Sequence, residues 1–385
     1  MTRQTFLPAL GYTVGEEEIQ SVISVLLSNS LTTGPVTAKF EDAFRTEIGA
    51  EAVLALNSCT SALHLGLVVL GIGPDAEVIT TPLTFPATVN VIEHVGARPV
   101  LVDVEPDTMN INPSKIAEAI TPRTKAIIPM HYAGHPCEME SIMALADKYG
   151  IYVLEDAAHA VMAWYRGKRI GTIGHLTAFS FYTSKNMTTI EGGALTGKAE
   201  LIERARIISR HGMKATWDPI TPSVALDYDI VFPGFKYNMT DIEAAVGLQQ
   251  LRKLAGLQQR RQSIAGKYQQ AFTQLPALQA PTIREDVEHG WYLYVVRLNL
   301  DRLIIDRAGF ALELKKRNIG NGVYYKPIHM HPYYREKYNY FPEELPIAFA
   351  QYQRVLALPL HARMSDEDCK DVIDAVLEVV DKFSA

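Results

Sequence analysis

The sequence contains few cysteines and no long apolar run. Its three cysteines, Cys59, Cys137 and Cys369, are far apart and form no CxxC pair, which argues against a disulfide framework or a structural zinc site. No apolar stretch reaches the 18 uninterrupted residues of a transmembrane helix, and no apolar segment typical of a signal peptide precedes the acidic run 16–18. We therefore expect a cytoplasmic protein without a membrane span.

An excess of positive charge is also lacking. The chain has 37 lysines and arginines against 43 aspartates and glutamates, a formal net charge of −6, which disfavours binding of nucleic acid through a broad basic surface. With 48% hydrophobic residues over 385 positions, the composition excludes a disordered, collagenous or coiled-coil protein. The length predicts two domains, or one large domain with an appendage.

Short apolar runs alternate with amphipathic segments through the first part of the chain. Runs such as 77–80 and 152–154 are typical of buried strands, and stretches such as 61–70 and 138–149 are typical of helices. This alternation predicts a large α/β domain over residues 1–250, with a mostly parallel sheet flanked by helices.

The pattern changes near residue 240. Thr240 and Glu243 have the spacing of a capping box, and a long helical stretch follows them. Beyond it lie one strand-like and two helix-like segments, at 292–298, 307–317 and 366–380. We predict a smaller C-terminal α+β domain over residues 251–385, joined to the first by the long helix without a flexible linker.

Two polar residues stand where predicted strands end. Asp156 follows the apolar run 152–154, and Lys185 follows the run 177–182 and precedes the glycine pair Gly192-Gly193. In an open parallel sheet, ligands collect beyond the carboxyl ends of the strands, so both side chains are candidates for one site. The ordinary alternatives are a helix N-cap for the aspartate and a solvated surface position for the lysine.

A third element is the segment 57–63, which lies between a strand-like run and a predicted helix. Its hydroxyl groups and the free amide groups of a helix N-terminus would form a cradle for phosphate, although a serine or threonine N-cap needs no ligand. The segment lacks the GxxxxGK[ST] pattern of a P-loop and the GxGxxG pattern of a dinucleotide fold.

These elements together match the requirements of pyridoxal phosphate. The cofactor needs a phosphate cradle, an aspartate for its pyridinium nitrogen and a lysine for a Schiff base. Phe85, which follows another strand-like run, would stack on the face of its ring, although a core aromatic is the ordinary interpretation of such a residue.

With these motifs, the sequence resembles the pyridoxal-phosphate-dependent nucleotide-sugar aminotransferases of the DegT/StrS family over essentially its whole length. The resemblance rests on segments that occur in this order, namely 31–35, 57–63, 155–160, 180–185, 191–193 and 237–241. It implies a fold-type I aminotransferase that acts as a homodimer.

The resemblance also implies a role for individual residues. Lys185 would be the Schiff-base lysine and proton shuttle, and Asp156 would pair with the pyridinium nitrogen. The remaining cofactor residues would be Thr60, Ser61 and Ser180 at the phosphate, and Phe85 and His159 on either side of the ring.

Other residues would come from farther along the chain or from the partner. Asn238 would reach the cofactor phosphate across the dimer interface, and Thr33 and His329 would border the sugar substrate. His329 and His331 also suggest a metal pair, but no carboxylate or cysteine accompanies them at a familiar spacing, so we expect no metal.

Within the family, segments 120–129, 131–134, 155–161 and 236–238 resemble the UDP-4-amino-4-deoxy-L-arabinose–oxoglutarate aminotransferase branch. His159 supports this branch, because many other members carry glutamine there. Met162 and Ile190 are bulkier than the residues usual at their positions, which bears on the substrate more than on the cofactor.

The expected reaction moves the amino group of L-glutamate to a keto group, most simply a 4-keto group, of a nucleotide-linked sugar. Alternatives are a keto-cyclitol aminotransferase, a sugar dehydratase and a non-catalytic sensor that binds pyridoxal phosphate. Lys185 disfavours the dehydratase, because known dehydratases of the group have histidine there, and the intact Lys185 and Asp156 disfavour the sensor.

Overall fold

The computed structural model describes residues 3–215 and 228–385 of the chain. Its helices are α1 (Glu16–Leu26), α2 (Pro35–Ile48), α3 (Cys59–Val69), α4 (Pro86–His94), α5 (Pro113–Ala119), α6 (Met139–Tyr149), α7 (Ala199–Ile208), α8 (Asp241–Phe272), α9 (Arg307–Lys316), α10 (Pro332–Tyr338), α11 (Pro346–Arg354) and α12 (Asp366–Phe383). Its strands are β1 (Ala52–Leu56), β2 (Glu77–Thr80), β3 (Arg98–Leu101), β4 (Thr124–Ile128), β5 (Tyr152–Asp156), β6 (Trp164–Tyr165), β7 (Lys168–Arg169), β8 (Leu176–Ser180), β9 (Gly193–Gly197), β10 (Met213–Ala215), β11 (Tyr228–Ile230), β12 (Leu278–Gln279), β13 (Val287–Glu288), β14 (Tyr294–Leu298) and β15 (Val355–Leu358).

A seven-stranded sheet forms the centre of the molecule, in the order β1-β9-β8-β5-β4-β2-β3. The neighbouring strands from β8 to β3 are parallel, and β9 runs antiparallel to both β8 and β1. Parallel neighbours require crossover connections, and α4, α5 and α6 supply them between β2 and β5, whereas the connection from β5 to β8 contains the short strands β6 and β7. The predicted α/β class with a mostly parallel sheet is confirmed.

Helices cover both faces of this sheet, as alternation along β5 illustrates. Val153 packs into a cluster with Phe40 and Phe44 of α2, whereas its neighbour Leu154 packs on the opposite face with Leu63 of α3. Successive side chains of a strand point to opposite faces, so an apolar run buried on both sides is the pattern expected of a parallel strand.

The long helix α8 links the central sheet with the C-terminal part. The predicted capping box is present, since the Thr240 hydroxyl accepts from the Glu243 amide and the Glu243 carboxylate accepts from the Thr240 amide. The first half of α8 packs with the sheet through Leu254, and its second half packs into the C-terminal core through Tyr268. The predicted domain boundary at residue 250 falls within α8 and stays a prediction. Leu7 also packs into the C-terminal core.

The C-terminal core lies between α8, α9, α12 and a small antiparallel sheet in the order β12-β14-β15. A separate apolar cluster joins this part to the central sheet, with Leu83 and Val89 on one side and Tyr292 and Ile328 on the other. Within residues 3–215 and 228–385, no helix combines the length and the apolar character needed to cross a membrane.

Candidate active site

A cavity of about 460 Å³ opens at the carboxyl ends of the central strands. Of the residues predicted from the sequence to form a site, six line it: Thr60, Phe85, Asp156, His159, Ser180 and Lys185. They stand at or just beyond the carboxyl ends of β1, β2, β5 and β8, which meet at this edge of the sheet. The C-terminal part closes the cavity with Tyr292, Tyr324 and Tyr325.

Asp156 is the last residue of β5 and is almost fully buried. Its Oδ2 accepts a hydrogen bond of 2.7 Å from the Thr88 hydroxyl, and its Oδ1 accepts one of 3.0 Å from the Ala158 amide. Burial raises the pKa of Asp156, while these two hydrogen bonds and the positive charge of Lys185 oppose the rise. The carboxylate is therefore held in a defined orientation at the floor of the cavity.

Lys185 lies in the loop between β8 and β9. Its Nζ lies 4.1 Å from the centroid of the Tyr292 ring, over the ring face. Its backbone amide donates to the carbonyl of Tyr182 over 2.9 Å, which fixes the turn that presents the side chain to the cavity. A lysine amine inside a largely enclosed site is a usable nucleophile.

The N-terminus of α3 borders the same cavity through Ser58, Cys59 and Thr60. Ser58 is the N-cap and accepts from the Ser61 amide over 3.0 Å. The strand β9 approaches this end so closely that a Cβ on Gly193 would lie 2.5 Å from the amide nitrogen of Cys59, which explains the glycine. First-turn amides have no acceptor within the helix, so this end suits an anion.

His159 is buried among aromatic rings. Its Nε2 is hydrogen-bonded to the Tyr325 hydroxyl over 3.0 Å, and its ring centroid lies 4.2 Å from that of Tyr292. Burial and the charge of Lys185 hold the pKa of His159 well below its usual range, so the ring is neutral. Its Nδ1 is buried with no hydrogen-bond partner among the residues that the structure describes.

Phe85 stands at the mouth of the cavity immediately before α4. Its side chain is 59% exposed, so the alternative of a core aromatic does not apply. Its ring meets Tyr325 edge-on at 6.3 Å between centroids. An exposed ring at this edge is available to stack on a planar ligand.

Four predicted site residues do not line the cavity. The Ser61 hydroxyl donates to Asn57 Oδ1 over 2.6 Å within the α3 cap. The side chain of Asn238 donates from Nδ2 to the Thr33 hydroxyl over 2.6 Å. His329 is fully buried, and its Nε2 contacts the Pro342 carbonyl over 3.2 Å. Their predicted roles toward cofactor and substrate stay predictions.

Two bulky positions noted in the sequence do not crowd the site. Met162 packs against the core beside the sheet, and its Sδ accepts a hydrogen bond of 2.9 Å from Arg169. Ile190 is 52% exposed and adopts a φ of 76°, which is unusual for a β-branched residue. In the part of the chain that the structure describes, no group of three or more His, Cys, Asp or Glu side chains is arranged to hold a metal ion.

Several residues of the cavity were not singled out from the sequence, among them Thr88, Tyr292 and Tyr325. Thr88 follows β2 in the same segment as Phe85, so its position after a strand was an available signal. Tyr292 and Tyr325 come from the C-terminal part, and no motif in the sequence distinguishes them from its other tyrosines.

The model of the DegT/DnrJ/EryC1/StrS aminotransferase family matches residues 13–377. The chain belongs to this family. An uncharacterized protein of Methanocaldococcus jannaschii is 49% identical to it over 382 residues, which is 99% of each chain. The spore coat polysaccharide biosynthesis protein SpsC of Bacillus subtilis is 46% identical over 381 residues, which is 98% of each chain.

Solved structures also match the chain to a sugar aminotransferase. The PLP form of the putative sugar aminotransferase Spr1654 from Streptococcus pneumoniae has a TM-score of 0.92 and 34% identity, over 98% of this chain and 99% of that chain. The PMP form of Spr1654 gives a TM-score of 0.91 at 34% identity, over 98% of each chain. The predictions of a fold-type I sugar aminotransferase and of pyridoxal phosphate as its cofactor are confirmed.

The cavity of this DegT-family chain fits that cofactor. The N-terminus of α3 offers amides to a phosphate, and each oxygen of Asp156 retains acceptor capacity for a ring N–H. The Nδ1 of His159 is a buried polar atom that a bound group would satisfy. Lys185 supplies the amine.

Proposed function

We propose that this enzyme transfers the amino group of L-glutamate to the 4-keto group of a nucleotide-linked sugar, giving an amino sugar and 2-oxoglutarate. The observation that carries the proposal is the shared cavity of Lys185, Asp156 and the N-terminus of α3. Family membership supports a sugar as the acceptor. The name of SpsC, a spore coat polysaccharide biosynthesis protein, is in keeping with an amino sugar destined for a polysaccharide.

Pyridoxal phosphate, when bound, supplies a ring that draws electrons away from the carbon atom under reaction. The residues of the chain then have separate tasks. The first turn of α3 and Ser180 would hold the phosphate, and the Asp156 carboxylate would accept a hydrogen bond from the ring nitrogen. Phe85 and His159 would enclose the ring.

Proton transfer falls to Lys185 in this proposal. The free Nζ amine would take the proton from the α-carbon of the donor and pass it to the cofactor, and in the second half-reaction it would carry a proton from the cofactor to the sugar carbon atom that receives the amino group. A general acid–base group placed in this way contributes about a hundred- to ten-thousand-fold to the rate. His159 lines the same cavity and its pKa is held well below its usual range, so its neutral ring adds no second positive charge near Lys185.

The working form in this proposal is a homodimer in which Asn238 reaches the phosphate of the partner's cofactor. Three exposed apolar side chains stand near the Lys185 loop, Phe85, Tyr182 and Ile190, at 59%, 49% and 52% exposure. Asn238 itself lies outside the cavity of its own chain. Burial of such side chains by a second copy would stabilise the dimer and complete the site.

The finer assignment is the UDP-4-amino-4-deoxy-L-arabinose branch, with UDP-4-keto-pentose as the acceptor. It is supported by His159 and by the segments that resemble this branch. A cytoplasmic location is supported by the three cysteines, Cys59, Cys137 and Cys369, which are all free.

The decisive experiment follows the absorbance of the enzyme with pyridoxal phosphate before and after addition of L-glutamate. The band of the lysine-bound cofactor should give way to a pyridoxamine-like band, and UDP-4-keto-pentose should restore the first band while an amino sugar appears. Lys185→Ala should lose both changes, whereas the exposed control Lys168→Ala should keep them.

Each contrary outcome bears on a different part of the proposal. A lysine-bound band that ignores L-glutamate would overturn the donor, and turnover of a keto-cyclitol in place of the nucleotide sugar would overturn the acceptor. Turnover by Lys185→Ala would overturn the lysine. If light scattering showed a monomer and that monomer were fully active, the dimer and the role of Asn238 would be contradicted.

A further inference from the structure

Tyr292 contacts the reactive lysine and its neighbours at once. Lys185 Nζ lies over the face of its ring, 4.1 Å from the centroid. The ring also lies 4.2 Å from the His159 ring, at an interplanar angle of 32°. The Tyr292 hydroxyl and the Ser184 hydroxyl are 3.2 Å apart and hydrogen-bonded. The phenol is therefore placed between the lysine loop and the segment that follows Asp156.

The backbone around Tyr292 is held firmly. Its amide donates to the Ala133 carbonyl over 3.0 Å. The buried Arg261 donates from Nη1 to the carbonyls of Trp291 and Tyr292, over 3.3 Å and 3.4 Å. Trp291 adopts a φ of 49°, a left-handed conformation that is costly for a bulky residue. This bend brings Tyr292 to the cavity from the C-terminal part.

We infer that Tyr292 is a positioning residue that holds Lys185 Nζ against its ring face whenever the lysine is not bonded to the cofactor. The inference rests on the role of Lys185 as the proton carrier proposed above. During proton transfer the C–H bond of the donor breaks and an N–H bond forms at Nζ, while the electron pair stays on the carbon. Nζ thereby becomes an ammonium group, and a π face stabilises such a cation.

A simple packing role makes a different prediction. Tyr292 is buried and belongs to the apolar cluster between the two parts of the molecule, so its loss would also lower stability. Packing depends on the volume of the ring, whereas attraction of a cation depends on the electron density of its face. Variants of equal volume but different electron density therefore separate the two roles.

The test compares Tyr292→Phe, Tyr292→Leu and phenylalanine analogues with increasing ring fluorination at position 292. The first measurement is the rate at which the cofactor-free protein captures pyridoxal phosphate on Lys185, trapped with borohydride and located by mass spectrometry. The second is the loss of the α-proton of L-glutamate to solvent. Neither measurement needs the sugar substrate, so a wrong acceptor would not affect them.

Tyr294→Leu is the matched control, because Tyr294 is a buried tyrosine two positions further along whose hydroxyl binds Gln269 outside the cavity. We expect Tyr292→Phe to slow proton loss less than about three-fold and Tyr292→Leu to slow it about five-fold or more. Successive fluorination should slow it in steps. Tyr294→Leu should lower the melting temperature without changing either rate.

Two results would overturn the inference. One is that the rates of proton loss and of cofactor capture stay constant as the ring is fluorinated, which would leave only a packing role. The other is a Tyr292→Phe protein as slow as Tyr292→Leu, which would assign the effect to the hydroxyl and Ser184. The fluorinated variants keep the volume of the ring, so the test stands even if Tyr292→Leu fails to fold. Failure of Lys185 to capture the cofactor in the wild-type protein would instead overturn the assignment of the lysine.

Discussion

The hydroxyl of Thr88 donates a hydrogen bond of 2.7 Å to Oδ2 of Asp156, and both side chains are buried. Thr88 lies in the first turn of α4, and Asp156 ends β5. The bond therefore ties two separate connections of the central sheet together beneath the cavity. A second hydroxyl, that of Thr84, lies 2.6 Å from the Thr88 hydroxyl and continues the network.

Thr88→Val should move the acid limb of the pH profile to higher pH. Burial raises the pKa of Asp156, and the Thr88 hydroxyl opposes the rise because it stabilises the charged carboxylate. Without that donor the pKa of Asp156 rises further, so the carboxylate becomes protonated at a higher pH as the solution is acidified. Activity should then be lost earlier on the acid side. The measurement is the pH dependence of kcat/KM.

Thr84→Val is the matched control, because Thr84 contacts the Thr88 hydroxyl and not the carboxylate. It should shift the acid limb less than Thr88→Val does. If kcat/KM fell at the same acid pH in the wild-type enzyme and in Thr88→Val, Asp156 would not control this limb of the profile.

Asp156→Asn should lower kcat by at least about ten-fold, because it removes the charged acceptor, and hydrogen bonds to charged groups contribute about 1.5–3 kcal/mol. Binding of the cofactor should weaken less, since its phosphate is held elsewhere. Asp301→Asn, at an exposed aspartate far along the chain, is the control for loss of one negative charge. A mutant with kcat close to that of the wild type would remove Asp156 from the proposed mechanism.

Asp156 and Lys185 were predictable because Asp156 ends one buried strand and Lys185 follows another, and the carboxyl ends of parallel strands meet at one edge. The α/β pattern therefore brought them together without further information. Phe85 was a candidate only in combination with the other elements, and its exposure at the cavity mouth favours the ligand-stacking interpretation over a core position.

Tyr292 and Tyr325 were not predictable from local pattern. Both reach the cavity through packing of the C-terminal part on the sheet, and no periodicity in their own segments encodes that contact. His329 was carried over from the family resemblance as a residue that borders the substrate. Its Nε2 contacts the Pro342 carbonyl and it does not line the cavity, so its role toward the substrate stays a prediction.

A buried pair next to Asp156 supports the end of β5. His131 Nδ1 accepts from the Cys137 amide over 3.0 Å, so the proton of the ring stands on Nε2, which donates to Glu155 over 2.9 Å. The other oxygen of Glu155 accepts from the Gly174 amide and the Thr177 hydroxyl, over 2.7 Å and 2.9 Å. The His131 amide donates to the Asp156 carbonyl over 3.1 Å, which connects this network to the site.

Glu155→Leu should lower the free energy of unfolding by about 3 kcal/mol, because it removes the acceptor of three donors, the buried His131 and Thr177 side chains and the part-buried Gly174 amide, at about 1–3 kcal/mol for each buried donor. Thr177→Val removes one donor and should cost about 1 kcal/mol. Urea denaturation monitored by circular dichroism measures both. Equal stability of Glu155→Leu and wild type would mean that water or a shift of the backbone satisfies these donors.

Gly193→Ala should weaken binding of pyridoxal phosphate by about ten-fold, since overpacking of this kind costs about 1–3 kcal/mol. The new Cβ would lie 2.5 Å from the amide nitrogen of Cys59, and β9 has no freedom to move aside because it pairs with both β1 and β8. The N-terminus of α3 must therefore shift, together with the amides proposed to hold the phosphate. Titration of the cofactor-free protein measures the affinity.

Gly256→Ala is the matched control, because it makes the same substitution at a position where the new Cβ would meet no other side chain or strand. Gly256 lies within α8, and beyond its own stretch of helix no atom of residues 3–215 and 228–385 stands within 4 Å of the position of its Cβ. Alanine is the better helix former by about 1 kcal/mol, so this variant should be as stable as the wild type or more stable, with unchanged cofactor affinity. If Gly193→Ala bound the cofactor as tightly as Gly256→Ala, the phosphate would have to lie away from the first turn of α3.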